Sequence, residues 1–335
     1  MSPPHTPRAA RRASGLAIAG LVLVISVAAS IALGAKTLSP GEVWHGLIDP
    51  AADSYSVVHQ MRLPRTELGL AAGLALGLAG ALMQALTRNP LADPGVLGIN
   101  AGAAGAVVTA ISFAGVASFG GYVWFALAGA AVVSCGVYLV GGGRRATPVR
   151  LALAGAAINA ALYSYVNAVQ LWDTNNLDRM RFWTVGSIAS AQPSTIAKVA
   201  PFIAAGVIAA FCLARPLNAL ALGDDAARAL GSRPGIVRVA VIAAVTLLCG
   251  AATAACGPLV FVGLAVPHLV RAITGPGLGW LLPYCAVLAP VLVLGADILG
   301  RLVARPGEIE LGVVTAIVGG PFFLYFVKRG RMATA

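Results

Sequence analysis

Residues 62–105 read RLPRTELGLAAGLALGLAGALMQALTRNPLADPGVLGINAGAAG. Two arginines and a proline stand directly before an apolar span dense in glycine. A short polar turn, Arg88-Asn89-Pro90, follows, and a second span then opens. A soluble enzyme has no use for this order, whereas a membrane protein passing polar material between helices does. Gly69, Gly73 and Gly77 recur every four residues and so form a stripe on one helix face. In lipid, where no hydrophobic force drives helices together, such small residues let backbones approach closely. The stripe predicts tight packing and not a site.

Composition points the same way. Of 335 residues, 59% are hydrophobic and 10% charged, against roughly 25% charged in soluble domains. A helix crosses a bilayer in about 20 residues, and the breaks in hydrophobicity predict about ten such spans. Their cores are 16–35, 68–86, 99–117, 122–140, 151–171, 196–213, 237–257, 259–271, 282–299 and 312–327. The first is too long for a signal core and is followed by many others. The eighth is short and is separated from the seventh by Gly257-Pro258, so a re-entrant segment is the alternative there.

The net charge of +11 is scattered between spans and forms no stripe for nucleic acid. With the N-terminus inside, 15 of the 23 basic residues fall on the cytoplasmic side, which favours an even number of spans and both termini in the cytoplasm. Residues 50–60 and 174–182 then face outward. Arg62, Arg65 and Arg301 also fall outside, against the rule.

Little of the polar chemistry of an enzyme is present. His5, His45, His59 and His268 show no paired-ligand spacing, and Cys135, Cys212, Cys249, Cys256 and Cys285 stand singly, as buried free thiols do. Lys36, Lys198 and Lys328 do not follow glycine, so the Gly-Lys of a phosphate-cradling Walker loop is missing. No metal set or cofactor is expected. Asp297, Glu67, Gln84 and His268 are the polar groups nearest membrane depth, with structural pairing expected for Glu67 and Asp297 beside the arginines.

From about Leu38 to Lys328 the chain closely resembles the permease subunits of ATP-driven importers for iron-siderophores, haem and cobalamin. Three blocks carry the likeness: residues 62–105; LNALALGDDAARALGSRP at 217–234; and GPLVFVGLAVPHLVRAITG with GADILGRLVARPGEIELGVVTAIVGGPFFLYFVKR. TRNPLADPGVLGINAGA, TPVRLALAG and RFWTVGSI resemble the ferric-catecholate (enterobactin-type) members. One departure stands out: many members carry proline two residues after the glutamate matching Glu308, and this chain has Glu310.

The resemblance implies an all-α integral membrane protein with the type II ABC importer permease bundle. A single domain would span 1–335, with a cytoplasmic tail at 1–15 and a coupling segment at 215–236. It would lie in the bacterial cytoplasmic (inner) membrane. Its partners would be a second permease, favoured as a paralogue, two ATPase subunits that hold ATP and magnesium, and a periplasmic or lipid-anchored substrate-binding protein. Haem or cobalamin is the alternative cargo. A secondary transporter is the alternative class; it needs an acid embedded at mid-depth, whereas the acids here read as lying near helix ends.

Residue roles follow. The 217–234 block has too few apolar residues to cross a membrane and too many for an idle loop, with Gly223 and Gly231 dividing it into two short helical pieces. By resemblance Asn218, Leu222, Gly223, Ala227, Leu230 and Gly231 would couple to the ATPase. Arg62, Arg65 and Arg301, read as exposed, would meet carboxylates of the binding protein. Lipid anchoring is open for the first two, and pairing with Asp297 for Arg301. Asn89, Leu91 and Thr147 would form the inner gate, a turn role being equally open for Asn89. Asn159, Asn167 and the face containing Thr315, Gly319 and Pro321 would line the passage.

Overall fold

The computed structural model describes residues 7–116, 119–143, 147–172 and 183–328. Among them the regular structure is helical. The chain forms α1 Pro7–Ala32, α2 Pro40–Ile48, α3 Leu63–Thr87, α4 Ile99–Ala114, α5 Phe119–Val140, α6 Pro148–Trp172, α7 Pro193–Ala221, α8 Asp224–Ala229, α9 Pro234–Cys256, α10 Val262–Thr274, α11 Leu278–Val303 and α12 Leu311–Lys328. A π-helical turn at Val57–Arg62 leads into α3 and a 3₁₀ turn at Pro94–Leu97 leads into α4. Seven helices are long and apolar enough to cross a membrane, and α4, α10 and the start of α12 are shorter apolar helices. Each of the ten expected span cores overlaps a helix among the described residues.

The bundle has two ends, named here by their short helices. At the α8 end, Tyr284 of α11 donates to the Arg12 carbonyl of α1, and the Leu278 amide donates to Asn218 Oδ1. At the α2 end, the start of α3 and the end of α11 converge on the end of α1. The cap of α2 is a reciprocal box: the Glu42 amide donates to Ser39 Oγ and the Ser39 amide to the Glu42 carboxylate. Trp44 and Ile48 of α2 stay exposed, as suits a helix at a lipid-water boundary.

At the centre lies α3, most of it buried between α7, α9, α10 and α11. The glycine stripe explains how. A Cβ on Gly73 would fall 2.5 Å from Pro290 Cα, one on Gly77 2.5 Å from Ala289 Cβ, and one on Gly69 2.7 Å from Leu294 Cδ2. The stripe therefore seats α11, which is the packing role its spacing predicts. The cysteines are free thiols: Cys249, Cys256 and Cys285 are buried, but Cys135 and Cys212 lie on the outer surface of the bundle, unlike the burial expected of all five.

Two helices start inside the bundle and not at its rim. After α3 the chain turns back, and the Pro94–Leu97 turn sits against α6, where Asn159 Nδ2 donates to the Gly95 carbonyl at 3.0 Å. Asn159 lies eleven residues past Pro148, or roughly 16 Å along α6, which is about half the thickness of a bilayer core. Likewise α10 begins beside Gly80, seven residues before the end of α3, and Pro94 Cδ lies 3.3 Å from where a Cβ on Gly263 would stand. The two irregular segments thus meet in the interior, where protein can satisfy their backbone groups. The eighth span is accordingly a short helix entered from mid-depth, the alternative that its length raised.

Candidate functional site

The α2 end holds a largely buried polar network beside a pocket of about 310 Å³. Arg65 places Nη2 2.7 Å from Asp297 Oδ1 and Nη1 2.7 Å from Glu308 Oε2. Asp297 also takes Arg301 Nη2 at 2.7 Å, one turn along α11. Arg301 donates to the Ser30 and Leu33 carbonyls, Arg305 to Gly34, and Arg62 to Ile31, Ala32 and Lys36. A helix leaves its last carbonyls unpaired and its C-terminus partly negative. Here that end, on α1, is filled by three guanidiniums.

This corrects the exposed row of arginines that the sequence suggests. Arg62 and Arg301 are 4% and 3% exposed, and the Arg65 side chain 12%. The Arg301–Asp297 pairing weighed as an alternative is present. Arg65 reaches the same carboxylate from 232 positions away in sequence, a partnership that no local pattern announces. Glu67, expected to pair structurally, is instead exposed and makes no salt bridge among the described residues.

The interior holds a polar cluster that the sequence reading passed over. Asp93 Oδ1 accepts from the Gly95 amide at 2.7 Å, and Asn100 Oδ1 accepts from Thr253 Oγ1 at 2.9 Å, with the Cys249 thiol 3.8 Å away. Acids are therefore not confined to the ends of the bundle: Asp93 caps the Pro94–Leu97 turn in its interior. The available signal was Asp93-Pro94 ahead of two glycines, since a capping acid followed by proline at the first helical position marks a helix start.

The α8 end is open. The helix α7 continues through Pro216 to Ala221, so the first of the two expected pieces is the end of a span, and only α8, of 6 residues, is separate. Gly223 at φ +110° and Gly231 at φ +79° flank α8, and a Cβ on either would meet nothing within 4 Å. These glycines serve backbone angles, not close packing. Ala227 is fully buried, whereas Leu222 and Leu230 are 69% and 66% exposed. Asn218 keeps its carbonyl oxygen on the Leu278 amide and so fixes the start of α11.

This segment is tied to the turn after α3. Arg238 Nη2 lies 2.9 Å from Asp224 Oδ2, and Arg88 Nη2 lies 3.9 Å from Asp224 Oδ1 while donating to the Leu220 carbonyl. Arg88 itself is the left-handed cap of α3, at φ +51°. Its neighbour Asn89 accepts from the Leu91 amide at 2.9 Å, which is the turn role; it is exposed, as is Thr147, whose hydroxyl receives the Arg150 amide.

The residues expected to line a passage divide. Asn167 and Pro321 are exposed. Asn159 is spent on Gly95, Thr315 is 4% exposed and donates to Gly312, and Gly319 is covered by Phe261. The open face of α6 carries Ala152, Ala156, Ala160, Ser164 and Asn167 in one row. Small residues at this spacing suit a neighbouring helix.

Comparison with known proteins agrees with this architecture. The model of the FecCD transport family matches residues 22–329. Over 315 residues the chain is 44% identical to the ferric enterobactin transport system permease protein FepD of Escherichia coli (strain K12), covering 92% of this chain and 93% of that one. It is 35% identical over 316 residues to the hemin transport system permease protein HmuU of Yersinia pestis, covering 93% and 94%. Among solved structures, an inward-facing conformation of a metal-chelate type ABC transporter superposes with a TM-score of 0.83 at 27% identity, covering 95% of this chain and 99% of that one. A multi-pass helical bundle with two helices entered from mid-depth, and a family model spanning nearly its whole length, make this chain a member of the FecCD transport family.

Proposed function

We propose that the chain is the permease subunit of an ATP-driven importer that carries a ferric siderophore, of catecholate type, across the bacterial inner membrane. The observation that carries the energy-coupling half of this reading is the pair Leu222 and Leu230, exposed at the caps on either side of α8. Two large apolar side chains left exposed beside one short polar helix suit a partner surface. The chain has no Gly-Lys phosphate loop of its own, so the partner there is a separate ATPase holding ATP and magnesium. That end then faces the cytoplasm, along with both termini. The cargo half is supported by the 44% identity to FepD.

A second permease, favoured as a paralogue, packs against the small-residue face of α6, and Asn167 and Pro321 border the passage between the two. Closure of the ATPases moves α8. Asp224 and Arg88 pass that movement to the turn at Asn89 and Leu91, which opens or shuts the inner gate with Thr147. A substrate-binding protein docks on the α2 end. There Arg62, Arg65 and Arg301 hold the shape of the surface from within, and docking through them requires their network to open.

Uptake of iron chelates into proteoliposomes tests the reading. Import of a ferric catecholate that needs both ATP and the ATPase subunits is expected. Import driven by an ion gradient without them would overturn it, and ATP-driven import of haem or cobalamin in preference would overturn the cargo.

A further inference from the structure

A pocket of about 290 Å³ opens at the α8 end between α3, α7, α10 and α11. Its charged lining residues are Arg88 and Arg271, and no Asp or Glu lines it among the described residues. The Arg271 guanidinium is partly buried and makes no hydrogen bond or ion pair with the described residues. Arg88 has Asp224 only at 3.9 Å, and that carboxylate is held by Arg238 at 2.9 Å. Gln84, 2% exposed and also in the lining, donates its amide to the Gly263 and Leu264 carbonyls, which fixes the amide's orientation and leaves Oε1 without a partner.

Taken together, Arg271 lacks a resident counter-charge, Arg88 has only a shared and distant one in Asp224, and a buried acceptor lacks a donor. A guanidinium left out of water without a partner is costly, and so is an unfilled buried acceptor. We propose that this pocket binds the headgroup of an anionic phospholipid that also carries hydroxyls, of the phosphatidylglycerol or cardiolipin kind. The phosphate lies between Arg271 and Arg88, a geometry that guanidiniums recognise through paired donors. The headgroup hydroxyl supplies the donor that Gln84 Oε1 lacks. An amine headgroup fits worse, because its ammonium would face the arginines.

Leu217, Leu278 and Leu281 line the same pocket, and such apolar walls suit the glycerol and first chain carbons of a lipid better than a hydrated inorganic ion. The position suits it too, since basic pockets between helices at one membrane face are where acidic lipid headgroups are held. The site adjoins the Arg88 turn, so occupancy would stiffen the joint between α3 and the α8 segment.

Native mass spectrometry of the assembled transporter, delipidated and then offered defined lipids, tests the site without ATP or any iron chelate, so its outcome is independent of the transport reading. Retention of phosphatidylglycerol or cardiolipin several-fold above phosphatidylcholine is expected. Arg271→Gln should lower that retention about tenfold, the equivalent of roughly 1.4 kcal/mol, and Arg271→Lys should restore part of it. Arg233→Gln, at an exposed arginine outside the pocket, should change nothing. Should Arg271→Gln fail to fold, Gln84→Leu carries the test through a smaller loss confined to hydroxyl-bearing lipids.

Equal retention of anionic and zwitterionic lipids would overturn the proposal. So would wild-type retention in Arg271→Gln, or displacement of the lipid by inorganic phosphate alone, which would make the site a free-anion pocket. Unchanged lipid retention with loss of the ATPase subunits from Arg271→Gln would give the pocket to a protein partner instead.

Discussion

The two ends of the bundle solve opposite problems with similar residues. At the α2 end, arginines from α3 and α11 turn inward and are consumed by Asp297, Glu308 and the last carbonyls of α1. At the α8 end, Arg88 and Arg238 share one half-exposed carboxylate, Asp224, while leucines stand in water. One end is knitted across three helices and has little reason to move. The other is joined to the bundle by glycines at positive φ and a few solvent-bordered pairs. A protein that must pass movement from a cytoplasmic motor to a passage needs such an asymmetry, a fixed frame at one end and a hinged lever at the other.

The largest effect should come from breaking the frame. Asp297→Asn leaves Arg65 and Arg301 without their shared charge, and orphaning a buried ion pair costs about 3–5 kcal/mol. Thermal unfolding of the detergent-solubilised protein should show a large drop, or no folded protein at all. Arg65→Glu should behave the same way. If instead Arg65→Glu folds normally and loses only binding-protein association, the arginine is a docking residue that the frame does not need.

The next effect is packing. Gly73→Leu forces a side chain into Pro290, which lies 2.5 Å from the position of a Cβ. Overpacking a tight core costs about 1–3 kcal/mol, and the same unfolding assay should register it. Asn159→Ala removes the amide that holds the Gly95 carbonyl. It should cost about 1–3 kcal/mol, as for an unsatisfied buried acceptor, and should speed amide hydrogen exchange between residues 94 and 100. Unchanged exchange there would mean that Asp93 alone fixes the turn.

The smallest effect on stability belongs to the lever. Leu222→Asp and Leu230→Asp sit in water and should each shift stability by no more than about 0.5 kcal/mol. A large loss of stability from either would show that these leucines are packed, and the contrast between the ends would collapse.

Much of this was legible in the sequence, for physical reasons. Span cores announce themselves because a bilayer demands unbroken apolar length, and the Gly69-Gly73-Gly77 spacing marks a packing face by geometry alone. The brevity of the eighth span agrees with a helix that starts within the bundle, beside Gly80. What stayed hidden depends on distance. Arg65 and Asp297 are 232 positions apart, and the carbonyls that receive Arg62 belong to a helix end whose sequence looks like any other. An arginine before a span therefore reads as exposed until its partners are seen. Asp93 goes unremarked in the sequence because a polar turn looks the same whether it lies outside a bundle or folds back into it; only the donor on α6 that reaches Gly95 settles its depth. The coupling block was recognised as a unit, yet the run of α7 through Pro216 to Ala221 was not, since proline in an apolar stretch normally suggests a stop.

The measurement that bears most directly on the lever is ATP-driven uptake of a ferric catecholate by the transporter reconstituted in proteoliposomes with Leu222→Asp and Leu230→Asp combined. Burying a charge where an apolar contact is needed at an interface costs several kcal/mol. The variant should insert, melt as the wild type does, and import no substrate on addition of ATP. Uptake at the wild-type rate from this folded double variant would contradict the account, because the exposed end would then have no part in coupling.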